Sequence, residues 1–160
     1  MWLLALPAAL AAAACAMAPS AAGLTARAEA IRTSLGTRPA REGYFVRGEV
    51  ALQWKAWIEH GRVVYLVATG DSPRALQRYV FDEARLLLYE GHEVRGVVRG
   101  VGASEELRIR LLLAPDGTPV ERLQLMNGRP AALRDFQIDE IKARAEDLRR
   151  TARQADSASP

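Results

Sequence analysis

The chain has little cysteine, little histidine and few aromatic residues. Its 160 residues include one Cys and two His, and aromatic residues make up 6% of them. A single thiol excludes an internal disulfide and a cysteine-based zinc site. The sequence has no G-x-S-x-G motif to pair with His60 or His92, so no nucleophile and base can be placed together. We therefore expect a protein that is not an enzyme and that uses no cofactor.

The charge balance also narrows the function. The formal net charge is only +3, and hydrophobic residues make up 49% of the chain and charged residues 26%. This is the balance of a globular protein and not of a disordered one. A nucleic-acid-binding protein would show a clustered basic stripe, which is missing here. We expect one domain and no nucleic-acid partner.

The N-terminus lacks charge altogether. Residues 2–18 carry no charged side chain, begin with leucines and continue with small residues, as in an export signal. Most of these residues are alanines, which makes the segment marginal as a permanent membrane span. The sequence predicts a leader over residues 1–22, a single domain over residues 23–153 and a flexible tail over residues 154–160.

The only cysteine lies in this leader. The stretch Ala12-Ala13-Ala14-Cys15 resembles the lipobox of bacterial lipoproteins, although Ala12 stands where leucine is favoured. The resemblance implies lipidation of Cys15 and cleavage just before it, and Ala16 at the next position resembles lipoproteins sent to the outer membrane. The alternative is an ordinary secretory signal cut near residues 20–22, which would discard the thiol and release a soluble periplasmic or secreted protein.

Two amphipathic helices are predicted. Apolar residues spaced by 4, 3 and 4 over residues 24–35 indicate the first, with Thr25 as its cap. Spacing of 3, 4 and 3 over residues 138–148 indicates the second, with Asp135 as its N-cap.

Between the helices, short segments with strand character follow one another. Alternation over residues 44–58 predicts one long half-buried strand with Trp57 on its solvent face. Turn residues separate further strands at 63–68, 76–83, 85–90, 93–101, 106–114 and Pro119–Met126. No long helices intervene, so we expect an α+β fold with an antiparallel meander of about six to eight strands, flat or curled into a half-barrel.

Several strands are apolar on both faces, notably residues 63–67, 86–89 and 111–113. The second face must therefore be covered by the terminal helix, by curling of the sheet or by another copy of the chain. Curling would allow a carrier of lipids or other hydrophobic ligands. Its apolar pocket would be lined by Trp54, Tyr65, Phe81 and Leu88.

Four arginines form two pairs at strand spacing: Arg95, Arg99, Arg108 and Arg110. If they share one face, they form a surface for lipid headgroups, cell-wall carboxylates or an acidic protein. The alternative is a solvated face balanced by neighbouring glutamates. Glu90 and His92 would also share a strand face if the strand continues through Gly91, but two ligands are too few for a metal site.

From Gly43 to Arg153 the chain resembles a domain-of-unknown-function family of Gram-negative envelope lipoproteins. The resemblance rests on the succession of strands, on PDGTPVERLQLMNGRP and on DFQIDEIKARAEDLRRTAR, with Gln137, Ile138 and Asp139 opening the helix. It implies an outer-membrane-associated lipoprotein of unknown role, and because the family has no assigned catalytic residues, none is carried over to this chain. We expect a binding module held to the membrane by its N-terminal lipid, with an envelope protein or a lipid as its partner.

Overall fold

One antiparallel sheet and two helices make up the described part of the protein. The computed structural model describes residues 19–37, 39–48, 50–71, 74–96 and 104–157; Cys15 and Arg99 lie outside these ranges. The elements are α1 Ala21–Ser34, β1 Arg41–Arg47, β2 Val50–Glu59, β3 Arg62–Asp71, β4 Arg74–Asp82, β5 Arg85–Arg95, β6 Glu105–Leu113, β7 Pro119–Met126, β8 Arg129–Ala131 and α2 Asp135–Ser157.

The eight strands pair in chain order, and every pair is antiparallel. Strands β1 and β8 form the two edges, so the sheet is not closed into a barrel. The expected α+β class, the meander and both helices are confirmed. Asn127 and Gly128 both have positive φ in the β7–β8 hairpin, as a two-residue type I′ turn requires.

The predicted long strand over residues 44–58 is wrong, because a turn at Gly48 (φ 60°) divides it into β1 and β2. The alternation stays in phase across this turn, but the chain direction reverses. Tyr44 and Val46 therefore lie on the face opposite to Trp54. They are 76% and 72% exposed, whereas Trp54 is 2% exposed.

The two strands predicted at 85–90 and 93–101 are one strand, β5, as far as Arg95. Gly91 lies inside this strand and is not a turn residue. A Cβ atom at Gly91 would lie 2.4 Å from the Tyr89 hydroxyl oxygen, so the missing side chain makes room for the phenol. The predicted strand over 93–101 otherwise falls outside the described residues beyond Gly96.

The start of α1 differs from the sequence prediction. Ser20 is the N-cap, and its hydroxyl accepts a hydrogen bond from the Gly23 amide at 3.1 Å. The predicted Thr25 cap is wrong, because Thr25 lies within the helix and its hydroxyl faces Arg110. The predicted domain start at residue 23 also falls inside α1, which begins at Ala21.

The start of α2 is displaced by one residue from the prediction. Arg134 occupies the cap position, and its amide donates to the Gln137 side chain at 2.9 Å, as in half of a capping box. The predicted Asp135 cap is therefore wrong, since Asp135 is the first helical residue and accepts from Arg122 at 2.6 Å. The helix includes residues 154–157, which were predicted to belong to a flexible tail.

Each helix covers one face of the sheet. We call these the α1 face and the α2 face. On the α1 face, Leu24 and Ala28 pack with Tyr65, Val80, Leu87, Leu88 and Leu112. On the α2 face, Ile138, Ile141, Ala145, Leu148 and Ala152 pack with Leu52, Trp54, Leu66, Tyr79, Phe81, Tyr89, Leu111 and Leu113. The strands that are apolar on both faces are thus covered on both faces.

Trp57, predicted on a solvent face, instead packs under the end of α1. Its indole nitrogen donates to the carbonyl of Gly36 at 3.0 Å, and its ring lies 5.2 Å from that of Tyr65. Within the described residues, neither helix is long and apolar enough to cross a membrane.

Candidate binding surface

The four residues predicted to line one apolar pocket do not lie together. Trp54 and Phe81 belong to the α2 face, whereas Tyr65 and Leu88 belong to the α1 face. All four are at most 9% exposed because helices pack over them. The sheet does not curl around a shared pocket at these residues.

The predicted arginine surface is also divided. In the β5–β6 register, Arg95 pairs with Glu105 and Arg108 pairs with His92, so Arg95 and Arg108 differ in parity and point to opposite faces. Arg110 shares the α1 face with Arg108, and Arg95 lies on the α2 face. Arg99 lies outside the described residues.

Each of the three described arginines of this set has a carboxylate partner. Arg95 binds Glu93 through two bonds of 2.9 Å. Arg108 binds Glu106 at 2.7 and 2.9 Å. Arg110 binds Glu90 at 2.7 Å and Glu121 at 3.1 Å. These contacts agree with the predicted alternative, in which neighbouring glutamates balance the arginines.

Arg110 also connects the sheet with α1. Its guanidinium also donates to the Thr25 hydroxyl at 3.3 Å, and its partner Glu90 accepts from Arg32 at 3.2 Å. Between these two residues of α1, Arg27 binds Asp82 through two bonds of 3.0 Å. Arg110 is only 24% exposed and belongs to the contact between helix and sheet.

Beyond this ion-pair cluster, the described residues leave the α1 face open to solvent. A cleft of about 330 Å³ lies over β4 to β7, and we call it the open cleft. The side chains that line it and are not engaged with α1 are Leu76, Arg78, His92, Arg108, Leu123 and Leu125. They alternate with residues of the α2 face, and the strand register places Leu76, His92, Arg108 and Leu125 in one row across the sheet. Leu123 is 41% exposed.

Arg78 is the residue of this cleft that sequence reasoning missed. It lies opposite Glu90 in the β4–β5 pairing and diagonal to His92. Within the described residues its guanidinium has no hydrogen bond or ion pair at contact distance, although Arg32 and Arg78 partly offset the rise that burial causes in the pKa of Tyr65. Its charge is available to an anion in the cleft.

His92 and Arg108 share one carboxylate at the rim of the cleft. The Glu106 carboxylate accepts from Arg108 and lies 2.8 Å from Nε2 of His92. Hydrogen bonds from Arg108 and then His92 hold the pKa of Glu106 below its usual value. Glu106 therefore stays ionised and fixes both neighbouring side chains.

The strand does continue through Gly91, so Glu90 and His92 share a face as the sequence allowed. The Glu90 carboxylate is taken up by Arg110 and Arg32, however. His60 lies in the β2–β3 turn, far along the chain from His92. Among the residues that the structure describes, no group of three His, Cys, Asp or Glu side chains could hold a metal ion.

The α2 face contains a buried tyrosine pair. The rings of Tyr79 and Tyr89 lie 5.1 Å apart, and the Tyr79 hydroxyl donates to Gln77. Burial raises the pKa of Tyr89 to about 12 and the pKa of Tyr79 well above its usual value. Both phenols remain protonated at neutral pH and act there as packing residues.

Comparison of the chain with protein-family models, with curated proteins and with solved structures finds no match.

Proposed function

We propose that this protein is a non-enzymatic lipoprotein of the bacterial envelope, tethered to the outer membrane through Cys15 and facing the periplasm, where it acts as a binding module. The observation that carries the binding role is the open cleft. It is a solvent-facing part of the sheet next to the area that α1 covers, and it combines leucines with an arginine that has no ion pair among the described residues.

The start of α1 supports cleavage before Cys15 over cleavage near residues 20–22. A cut at residue 22 would remove Ser20, which caps the helix, and the first two helical residues with it. Loss of a serine cap costs about 1 kcal/mol of helix stability. A cut before Cys15 keeps the whole of α1.

The same spacing makes the tether short. Six residues of chain lead from Cys15 to Ala21, and an extended chain spans about 3.5 Å per residue, so α1 begins within about 20 Å of the acylated sulfur. The α1 face of the sheet is therefore held close to the bilayer.

The carrier hypothesis receives less support. Its four pocket residues are divided between two faces that α1 and α2 cover, and a carrier of this kind would need one helix to leave the sheet. The open cleft needs no such movement.

Metabolic labelling tests the tether. Cells expressing the chain are given an alkyne-bearing fatty acid, and the acylated protein is detected after membrane fractionation. The parent chain should be labelled in the outer membrane, and Cys15→Ser should abolish the label. Ala12→Leu, which restores the favoured lipobox residue, is the matched control and should keep the label. A parent chain that is unlabelled and recovered in the soluble periplasmic fraction would contradict the tether.

A further inference from the structure

We infer that the open cleft binds the headgroup of an anionic phospholipid, with the start of an acyl chain lying over the leucines of β7. This inference names the partner of the binding module and so rests on the proposed function. It follows from the charge of the cleft, from its apolar border and from its size.

The charge of the cleft favours an anion. Three guanidinium groups and one carboxylate line it, those of Arg78, Arg108, Arg110 and Glu90. Glu90 and Glu121 together balance Arg110 and Arg32, and Glu106 is shared between Arg108 and His92. Arg78 is left without a carboxylate partner among the described residues, and an incoming phosphate would supply one.

The border of the cleft favours an apolar chain next to that anion. Leu123 and Leu125 lie side by side on the α1 face of β7, next to Arg110 and Arg108 in the β6–β7 register. Leu123 is 41% exposed, although it faces the same way as residues that α1 buries. A free phosphate would leave these leucines exposed to water, whereas a lipid would cover them.

The size of the cleft agrees with one headgroup. About 330 Å³ is at the lower end of the range for small-molecule sites. It holds a phosphoglycerol group and a few methylenes, and the rest of the lipid would remain in the bilayer or in a micelle. An acidic protein segment would need a longer surface, and it is an outcome of the test below.

The experiment measures binding of short-chain lipids below their micelle concentration to the full chain carrying Cys15→Ser. The probes are dihexanoyl phosphatidylglycerol, dihexanoyl phosphatidylcholine, inorganic phosphate and a short oligoglutamate peptide, each titrated by calorimetry. We expect the anionic lipid to bind more tightly than phosphate, and the zwitterionic lipid to bind more weakly than both.

Three variants locate the site. Arg78→Gln with Arg108→Gln should weaken anionic lipid binding by about tenfold or more, because each charge-assisted bond contributes on that scale. Leu123→Ser should weaken the lipid by a few fold and leave phosphate unchanged, since only the apolar contact is lost. The charge-matched control is Arg95→Gln with Arg129→Gln, at two exposed sites outside the cleft, and it should bind as the parent does.

Several results would overturn the inference. Equal affinity for the two lipids would show that the charge of the headgroup does not contribute to binding. Equal affinity for the anionic lipid and phosphate would show that the acyl chain does not contribute. An unchanged affinity in the Arg78 and Arg108 variant, with an unaltered circular dichroism spectrum, would place the lipid elsewhere. Binding of an acidic peptide but of no lipid would also reject it. The labelling of Cys15 fails or succeeds independently, because these titrations use a chain that cannot be acylated.

Discussion

Replacing Gly91 by alanine tests how β5 packs beneath α2. A Cβ at this position would lie 2.4 Å from the Tyr89 hydroxyl oxygen, 2.9 Å from Cζ and 3.0 Å from Cε1. Tyr89 is 5% exposed and its ring contacts that of Tyr79, so a movement of the phenol would disturb this buried contact. The new methyl group must therefore move either the ring or the strand.

The expected cost follows from two opposing effects. Alanine in place of glycine inside a strand would by itself stabilise the protein by roughly 0.5–1 kcal/mol. Overpacking of a filled core costs about 1–3 kcal/mol. The overpacking term is the larger, and we expect a net loss of about 1–2 kcal/mol in the free energy of unfolding. With a urea m-value of about 2 kcal/mol per molar, the midpoint should fall by roughly 0.5–1 M.

Two further variants make this prediction specific. Gly36→Ala is the matched control, because no atom lies within 4 Å of a Cβ built there, and its urea midpoint should equal or exceed that of the parent. Tyr89→Phe removes the nearest clashing atom, so Gly91→Ala should cost less in that background. If Gly91→Ala leaves the midpoint unchanged or raises it, then Tyr89 does not lie over Gly91.

Other predictions concern the helices, a turn and alkaline pH. Ser20→Ala should lower stability by about 1 kcal/mol, measured by urea denaturation, while Ser20→Thr retains most of the cap. Leu148→Ala, at a site that is 0% exposed, should cost about 2–5 kcal/mol in the same assay. Ala84→Gly should raise stability by about 1 kcal/mol, because Ala84 has φ of 69° in the β4–β5 turn. Burial raises the pKa of Tyr89 to about 12. Its phenol ionises more readily in the unfolded chain, so the free energy of unfolding should be full below about pH 10 and fall between about pH 10 and 12. Tyr89→Phe should reduce this fall.

The helices could be predicted from the sequence because helical spacing does not depend on the rest of the fold. The apolar residues over 24–35 and over 138–148 are buried or half-buried on one side of α1 and of α2. Their caps were not predictable in the same way. Thr25 and Asp135 are both good capping residues, and the backbone places Ser20 and Arg134 at the cap positions instead.

The error over residues 44–58 arose because an alternating pattern does not show where the chain reverses direction. Only two residues, 48 and 49, separate β1 from β2, so the even-numbered apolar positions continue in phase. Without the positive φ of Gly48 the sequence indicates one strand. At Gly91 the opposite error occurred, because the glycine was interpreted as a turn that divides two strands. It lies within one strand, where the absence of a side chain leaves room for the Tyr89 ring.

The candidate site could be predicted only in part. Arg108 and Arg110 share a face, as their spacing of two requires, but the grouping of Arg95 with them depends on the β5–β6 register. Arg78 went unnoticed because it has no charged neighbour at strand spacing that marks it, and it reaches the cleft only through pairing of β4 with β5. A register cannot be derived from one sequence without its turns.

The position of the cleft follows from where α1 ends. On the α1 face of β5 and β6, the successive residue pairs differ in polarity and in exposure to solvent. Leu88 pairs with Leu112 beneath the helix, Glu90 pairs with Arg110 at its margin, and the next pair, His92 with Arg108, is exposed. Apolar pairs need the helix to exclude water, an ion pair is tolerated at the edge of the helix, and the polar pair lies where none of the described residues covers it. Had the chain evolved to bury this part of the sheet, apolar residues would be expected at 92 and 108. The polar side chains there, next to the half-exposed Leu123, are the features on which the proposed lipid contact rests.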